Sequence, residues 1–209
     1  MRYIEQSIKK YLEDLSAKLP APGGGSVAAL TGALAGGLIS MVCNFTIGNP
    51  KLPEQEEAKD ILFQAAEVGD KLSLLVDEDI NVYKKVNAAY KLPKGTGKER
   101  TKRSSAIQNA LREAEKVPEQ ILKCSCRLLE LSEKLLRTGN PSLITDTGIA
   151  ALLAYAAMES ALLNVEINLG SITDKNYSLK IRSGLKPFME KGRIIRDAVV
   201  SRVEKAVIK

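Results

Sequence analysis

The sequence contains no histidine among its 209 residues. Histidine is the usual general base and a common metal ligand near neutral pH, so its absence excludes a Ser-His catalytic triad and a histidine metal site. Catalysis by this chain would have to use carboxylates, lysine, tyrosine, cysteine, hydroxyls or backbone groups.

Cysteine is also scarce. Cys43, Cys124 and Cys126 form no Cys-x-x-Cys motif, and an odd number of cysteines is not typical of a disulfide framework or a zinc site. The first residues lead directly into a charged amphipathic pattern and lack the apolar core of a signal peptide. We therefore expect a cytoplasmic protein that holds no metal ion.

Aromatic residues are few, with three Phe, six Tyr and no Trp. The net charge is +6, and one segment is strongly basic, with Lys94, Lys98, Arg100, Lys102 and Arg103. Nucleic-acid binding usually combines a broader basic face with aromatic side chains for stacking. We expect no nucleic-acid partner. The basic segment is either a solvated loop or a site for an anionic small molecule.

No charged residue lies between Lys18 and Lys51, and residues 27–47 are long enough to cross a bilayer. However, this stretch lacks the Leu, Ile and Phe density of a membrane span and the aromatic residues that flank one. Its small and polar residues include Gly32, Gly36, Ser40, Asn44 and Thr46. The glycines let neighbouring helices approach closely, and Asn44 is expected to lie inside that crowded region. The stretch is therefore predicted to be a buried central helix, with no membrane partner.

A glycine run, Gly23-Gly24-Gly25, precedes this helix and ends in Ser26. Glycines adopt backbone conformations closed to other residues, so their N–H groups can approach a ligand. Ser26 is the predicted N-cap, and a helix N-terminus favours negative charge. The pattern predicts an anion-binding site, and a tight turn between two helices is the alternative.

Helical periodicity recurs along the rest of the chain. The first helix is predicted to end near Pro20, with apolar residues at Ile4, Ile8, Leu12, Leu15 and Leu19. A third helix is predicted to begin at Pro53-Glu54. A fourth is predicted to kink at Pro118 and to end at Gly139-Asn140-Pro141. A basic amphipathic helix closes the chain.

The third helix carries a line of apolar residues that repeats every three or four positions. Its members are Ile61, Ala65, Val68, Leu72, Leu75, Val82, Val86 and Ala89. Asp79 falls on this line, whereas Asp77 and Glu78 do not and should be solvated. A buried carboxylate costs several kcal/mol unless it has a partner or a function. Asp79 is therefore a candidate catalytic residue, and an ion pair with a buried Lys or Arg is the alternative.

A second nearly uncharged helix is predicted over residues 147–169, with Asp146 as its N-cap. Ser160, Asn164 and Asn168 lie at i, i+4 and i+8, so this apolar helix carries one polar stripe. Buried amides need hydrogen-bond partners. The stripe can therefore line a polar pocket or join two helices.

Together these patterns predict an all-α fold. Residues 1–209 are expected to form a single domain, a bundle of about six helices of which two are rich in small residues and buried. Helices this apolar on all faces in a short chain indicate that a second subunit covers part of the surface. We therefore expect a homodimer.

Six segments with distinctive residues follow one another along the chain. They are residues 15–30 with the glycine run, Met41–Thr46, Asp77–Asp79 through Ala89–Lys94, Val117-Pro118, Asn140-Pro141 with Asp146, and Leu163–Leu169. Together they resemble the cyclodeaminase family, which forms the C-terminal half of formiminotransferase-cyclodeaminase. The similarity covers nearly the whole sequence, which contains no formiminotransferase half and is expected to be a stand-alone form.

The resemblance implies an enzyme that closes 5-formimidoyltetrahydrofolate to 5,10-methenyltetrahydrofolate and releases ammonia. In this histidine-free chain we assign the principal acid–base role to Asp79, with Asp146 as a second acid–base group or an anchor for the pterin. The folate derivative is the substrate, and no cofactor is expected. The predicted substrate-binding residues are Gly23, Gly24, Gly25, Ser26, Asn44, Lys91, Lys94, Asn164 and Asn168.

Each group of binding residues has an expected partner on the substrate. Asn164 and Asn168 would orient the folate, and the glycine run with Ser26 would receive an anionic or carbonyl part of it. Lys91 and Lys94 would take the glutamate tail, because carboxylates favour cations.

Two other functions fit the same residues. Stand-alone forms are similar to methenyltetrahydrofolate cyclohydrolases, in which water attacks the methenyl carbon with the help of the same carboxylates. A folate-binding helical dimer without catalysis is the alternative from outside the enzymes.

Overall fold

The computed structural model describes residues 2–52 and 55–208 and consists of six α-helices in that part of the chain. Their bounds are α1 (Ile8–Ser16), α2 (Gly24–Asn44), α3 (Gln55–Tyr90), α4 (Gly97–Thr138), α5 (Ile144–Ser171) and α6 (Lys175–Val207). Short 3₁₀ turns cover Tyr3–Glu5 and Pro141–Leu143. The all-α prediction is confirmed. The predicted start of the third helix, Pro53-Glu54, lies outside the described residues.

Helix α2 lies at the centre of the bundle and packs against α3, α4 and α5. Its glycines allow this, because a Cβ on Gly36 would lie 3.2 Å from the Cα of Gly69, and one on Gly32 would lie 3.1 Å from Leu72 and Ser125. The predicted close approach of neighbouring helices is therefore confirmed. The prediction for Asn44 is wrong, because Asn44 ends α2 and its side chain is exposed.

Two helical stretches are long and apolar enough to cross a membrane by length and composition. They are α2 and residues Pro141–Ser171, and 50% and 44% of their most apolar windows are buried inside the bundle. Their outward sides still carry large exposed apolar side chains, such as Leu34 on α2 and Leu163 on α5.

Helix α1 is shorter than predicted, and the side that it turns toward the bundle is not the predicted one. Ile8, Leu12 and Leu19 are 78%, 55% and 50% exposed, whereas Tyr11 is buried. The hydroxyl of Tyr11 lies 3.1 Å from Oγ of Ser26, so a polar contact fixes the side of α1 that faces the bundle. Most of the predicted apolar stripe therefore faces solvent, whereas its member Leu15 packs against the core.

Helix α4 runs without a break through Pro118 and ends before Gly139, where the sequence predicted its end. Helix α5 begins at Ile144, three positions before the predicted start. Asp146 therefore lies in the first turn of α5, and Leu143 occupies the N-cap position that was assigned to Asp146.

Helices α2 and α5 run antiparallel. At one end, Gly24 faces the Asn164 side chain, since a Cβ on this glycine would lie 3.7 Å from Nδ2 of Asn164. At the other end, the backbone N–H of Asn140 donates to Oγ1 of Thr46 and its side chain donates to the carbonyl of Phe45. The N-terminus of α2 therefore lies beside the C-terminal part of α5.

Candidate functional site

A cavity of about 380 Å³ opens where the N-terminus of α2, the C-terminal part of α3, α4 and the C-terminal part of α5 meet. It brings together three predicted features of the sequence: the glycine run, Asp79 and the two asparagines of α5. The residues that line it are Pro20, Ala21, Gly23, Gly24, Gly25, Asp79, Ile80, Val82, Tyr83, Val86, Tyr90, Leu111, Ala114, Asn164, Ile167, Asn168 and Ser171.

The carboxyl group of Asp79 lies at the N-terminus of α2. Its Oδ2 accepts a hydrogen bond of 3.0 Å from the backbone N–H of Ser26. Burial raises the pKa of Asp79, and this N–H bond opposes the rise in part. In residues 2–52 and 55–208, no lysine or arginine forms an ion pair with Asp79, which excludes the alternative of a buried ion pair there. The cavity therefore presents a desolvated carboxyl group without a cationic partner.

The glycine run makes room for this carboxyl group. A Cβ on Gly25 would lie 2.0 Å from Oδ1 of Asp79, a distance at which the two atoms would overlap. None of Gly23, Gly24 and Gly25 has a positive φ, so the run serves close approach and not unusual backbone conformation. The predicted anion site at this helix N-terminus thus receives an anion from the same chain.

Ser26 has a different role from the predicted one. Gly23 is the N-cap of α2, and Ser26 lies inside the first turn with its side chain fully buried. Its Oγ contacts the hydroxyl of Tyr11 and does not line the cavity, while its backbone N–H contacts Asp79. Ser26 therefore holds α1, α2 and α3 together beneath the site.

Asn164 and Asn168 line the cavity, which favours the polar-pocket interpretation of their stripe. The amide of Asn164 donates a 2.8 Å hydrogen bond to the carbonyl of Ser160 in its own helix, so it does not join two helices. Ser160, the third member of the stripe, is not among the lining residues. The role of the two asparagines in substrate binding stays a prediction.

Two tyrosines of the cavity wall were not predicted as site residues. Tyr83 and Tyr90 are 45% and 46% exposed and line the cavity together with Val86. They lie four and eleven positions after Asp79, a helical spacing that places all of them on one side of α3. This spacing is visible in the sequence, but the apolar line predicted for α3 does not include Tyr83 or Tyr90.

Four predicted site residues lie elsewhere. Lys91 and Lys94 are exposed in the loop after α3 and do not line the cavity. Asp146 and Asn164 are separated by about five turns of α5, roughly 27 Å along its axis. Asn44 lies at the same distant end as Asp146, because α2 and α5 are antiparallel. Within one chain, the structure therefore does not bring Asn44 or Asp146 to Asp79.

A larger groove of about 670 Å³ lies on another side of α3, next to Arg2, Lys71 and Asp77. The carboxylate of Asp77 accepts a 2.6 Å hydrogen bond from the N–H of Tyr3 and a longer one from Ile4. Asp77 therefore anchors the N-terminal segment and is not solvated as predicted, whereas Glu78 is exposed as predicted. This groove offers no desolvated reactive group.

Other reactive side chains are withdrawn from the surface. All three cysteines are buried, and burial raises the pKa of Cys43 to about 12, so it is a poor nucleophile. Glu115 on α4 is fully buried, and its Oε2 accepts a 2.8 Å bond from the hydroxyl of Tyr177, but it does not line the cavity. In the part of the chain that the structure describes, no group of His, Cys, Asp and Glu residues could hold a metal ion. Asp79 remains the candidate for acid–base chemistry.

Comparisons with known proteins indicate the family of this chain. The family model described as formiminotransferase-cyclodeaminase matches residues 7–186. A methenyltetrahydrofolate cyclohydrolase of Methylorubrum extorquens is 32% identical over 203 residues, which are 97% of this chain and 98% of that protein. The formimidoyltransferase-cyclodeaminase of Rattus norvegicus is 31% identical over 204 residues, which are 96% of this chain but 37% of the rat protein.

A solved structure is similar over its whole length. The crystal structure of formiminotetrahydrofolate cyclodeaminase from Thermotoga maritima superposes with a TM-score of 0.79 at 31% identity, and the match covers 97% of this chain and 96% of that one. The chain therefore belongs to the formiminotransferase-cyclodeaminase family of folate one-carbon enzymes.

Proposed function

We propose that this protein is a formimidoyltetrahydrofolate cyclodeaminase that uses Asp79 as its acid–base group. The observation that carries the proposal is the desolvated carboxyl of Asp79, which opens into the cavity and has a raised pKa. A carboxyl group of this kind is suited to take up and return a proton during one reaction. The name of the Thermotoga maritima relative supports the same reaction.

The proton balance of the reaction needs a single shuttle. In the protonated substrate, N10 attacks the formimidoyl carbon and forms a bond to it, and N10 then loses its proton. The bond between that carbon and the former imine nitrogen breaks when this nitrogen, already carrying two hydrogens, receives a third and leaves as ammonia. The proton lost by N10 is therefore the proton that the leaving nitrogen requires, and one carboxylate can carry it from one atom to the other.

The other cavity residues are assigned to binding. Asn164 and Asn168 offer amide donors and acceptors that suit the polar edge of the pterin. Gly23 and Gly24 leave backbone exposed at the cavity wall, whereas the N-terminus of α2 already contacts Asp79. Lys91 and Lys94 lie just beyond the end of α3 and would meet only a tail that extends out of the cavity.

The proposal is tested by incubating the purified protein with 5-formimidoyltetrahydrofolate. Ammonia release is measured together with the absorbance of 5,10-methenyltetrahydrofolate, and the two should rise in equal amounts. Methenyl product without ammonia, or no product at all, would contradict the deaminase function.

The second candidate is a methenyltetrahydrofolate cyclohydrolase. The relative from Methylorubrum extorquens, which matches this chain over nearly its full length, favours it. In that reaction Asp79 would activate a water molecule that attacks the methenyl carbon. Loss of methenyl absorbance on addition of protein, measured above the spontaneous rate, is the assay. Binding of reduced folate without turnover of either substrate would instead favour the non-catalytic folate-binding protein.

We also propose that the protein is cytoplasmic and that it is a homodimer joined through the outward sides of α2 and α5. These sides expose uncharged side chains, including Leu34, Ile149, Leu152, Leu163 and Ile167, all at least 46% exposed. A second copy would bury this surface. Ile167 also lines the cavity, so the dimer interface would border the site.

Sedimentation equilibrium at micromolar concentration should give twice the chain mass, and a Leu163→Glu variant should sediment as a monomer. A monomeric wild type would refute the dimer.

A further inference from the structure

One side of α3 carries a reactive group and two aromatic rings in a row. Asp79, Tyr83, Val86 and Tyr90 lie at i, i+4, i+7 and i+11, and all four line the cavity. The stripe extends about 6 Å from Asp79 to Tyr83 and about 16 Å from Asp79 to Tyr90 along the axis. The cavity is therefore elongated along α3 and suits an extended ligand whose reacting atoms lie at one end of the stripe.

The Tyr90 ring is held from outside the cavity. The Arg103 guanidinium lies 5.7 Å from the centre of this ring and donates two hydrogen bonds, of 3.2 and 3.0 Å, to the carbonyl of Tyr90. Tyr90 lines the cavity and Arg103 does not, so Arg103 contacts Tyr90 without forming part of the cavity wall. These contacts fix the last turn of α3 and orient its aromatic side.

The two long walls of the cavity differ in chemistry. The α5 side offers the amides of Asn164 and Asn168, while the α3 side beyond Asp79 offers Tyr83 and Val86. In a reduced folate, the pterin carries hydrogen-bonding groups along its edge, whereas the aminobenzoyl ring is an aromatic ring bonded directly to N10. Polar edges suit the amides, and an aromatic ring suits a half-exposed tyrosine.

We propose that Tyr83 is the stacking platform for the aminobenzoyl ring, and that the ligand runs along α3 from Asp79 toward Tyr90. This placement rests on the proposed reaction, because it puts N10 beside Asp79. Tyr83 lies one helical turn from that carboxyl, and the aminobenzoyl ring lies immediately beyond N10. The pterin then extends toward Asn164 and Asn168, and the tail leaves past the Tyr90 ring.

The test measures the binding of two probes. The first is 5-formyltetrahydrofolate, and the second is 6-methyltetrahydropterin, which lacks the aminobenzoylglutamate part. Tyr83→Leu should raise the Kd of the first probe about tenfold, as expected for one lost stacking contact, and should leave the Kd of the second within twofold. Tyr83→Phe keeps the ring and should bind both probes like the wild type.

A matched control is Tyr155→Leu. Tyr155 is a tyrosine that lies outside the cavity, with the guanidinium of Arg196 4.3 Å from its ring centre. This variant should change neither Kd. Equal loss for both probes in Tyr83→Leu, loss in Tyr83→Phe as large as in Tyr83→Leu, or no loss in either variant would overturn the proposal.

An NMR measurement makes the conclusion independent of the affinity of the pterin fragment. The aminobenzoyl ring protons of bound 5-formyltetrahydrofolate should shift upfield in the wild type and Tyr83→Phe, but not in Tyr83→Leu. If these upfield shifts are observed and no ammonia is released, the role of Tyr83 as a stacking platform is supported and the proposed reaction is refuted. If ammonia is released but the upfield shifts are absent, the proposed reaction is supported and the stacking role of Tyr83 is refuted. A wild type that binds no reduced folate would refute both.

Discussion

Replacement of Asp79 by asparagine isolates the proton-transfer role from the structural role. The asparagine amide would keep an oxygen that can accept the N–H of Ser26, so the fold and the position of α2 should be retained. The variant cannot carry a proton, and among the described residues that line the cavity Asp79 is the sole carboxylate. A positioned acid–base group contributes about 10²–10⁴-fold to rate, or roughly 2.7–5.4 kcal/mol of transition-state stabilisation.

The assay is the rate of ammonia release at saturating 5-formimidoyltetrahydrofolate, with the Kd of 5-formyltetrahydrofolate measured beside it. We expect kcat to fall at least a hundredfold while the Kd changes less than threefold. Asp77→Asn is the matched control on the same helix, since its carboxylate accepts backbone N–H groups outside the cavity, and it should keep more than half of the activity. An Asp79→Asn variant that retains a tenth of the wild-type kcat would refute the shuttle.

The dependence on pH gives this prediction a second measurement. Burial raises the pKa of Asp79, so the folded protein holds this proton more tightly than the unfolded chain does. Asp79 therefore makes a contribution to stability that is lost as pH rises from the ordinary pKa of an aspartate through the raised one, and Asp79→Asn lacks this contribution. The difference in Tm, variant minus wild type, should grow more positive over that interval. A constant difference across the interval would contradict a desolvated Asp79.

Four further substitutions test the packing beside this carboxyl group and whether one chain forms the whole site. Gly25→Ala places a methyl group where the carboxyl group of Asp79 lies, so kcat should fall at least tenfold and Tm should fall. Gly37→Ala on the same helix is the control, because its methyl group meets no atom within 4 Å and lies outside the cavity, and it should lower neither. Tyr11→Phe leaves the fully buried Oγ of Ser26 without its partner and should lower the free energy of unfolding, measured in urea, by about 1 kcal/mol. Asp146→Asn should leave kcat within threefold if one chain forms the whole site, and a hundredfold loss would instead show that the N-terminus of a partner's α5 reaches the cavity.

The helices and their buried sides could be predicted from the sequence because they depend on local periodicity. The line through Leu72, Leu75 and Asp79 predicted which side of α3 faces the bundle, and the glycines of α2 predicted where helices approach closely. The same reasoning placed α1 incorrectly. Most of its apolar stripe is exposed because the Tyr11 ring is buried in the core and its hydroxyl contacts Ser26, so the other side of α1 faces the bundle.

The composition of the site could be predicted only in part, because periodicity gives the side of a helix but not which ends meet. Asp79, Asn164 and the glycine run converge on one cavity, as expected for residues near adjoining helix ends. Asn44 and Asp146 have similar chemistry but lie at the far ends of α2 and α5, whose antiparallel packing involves contacts distant in sequence. Tyr83 and Tyr90 were missed because a half-exposed aromatic residue resembles an ordinary surface position until a cavity is seen beside it.

The contact between Asp79 and the N-terminus of α2 explains how one group can act in both directions. Burial disfavours the carboxylate and raises the pKa of Asp79, whereas the N–H of Ser26 favours the carboxylate, and the two effects oppose each other at the same carboxyl group. The proposed shuttle would accept a proton from N10 and then release it to the leaving nitrogen, and opposing influences on its pKa suit that role. The glycine at position 25 is what permits this, because any side chain there would separate the carboxyl from the helix end and leave burial unopposed.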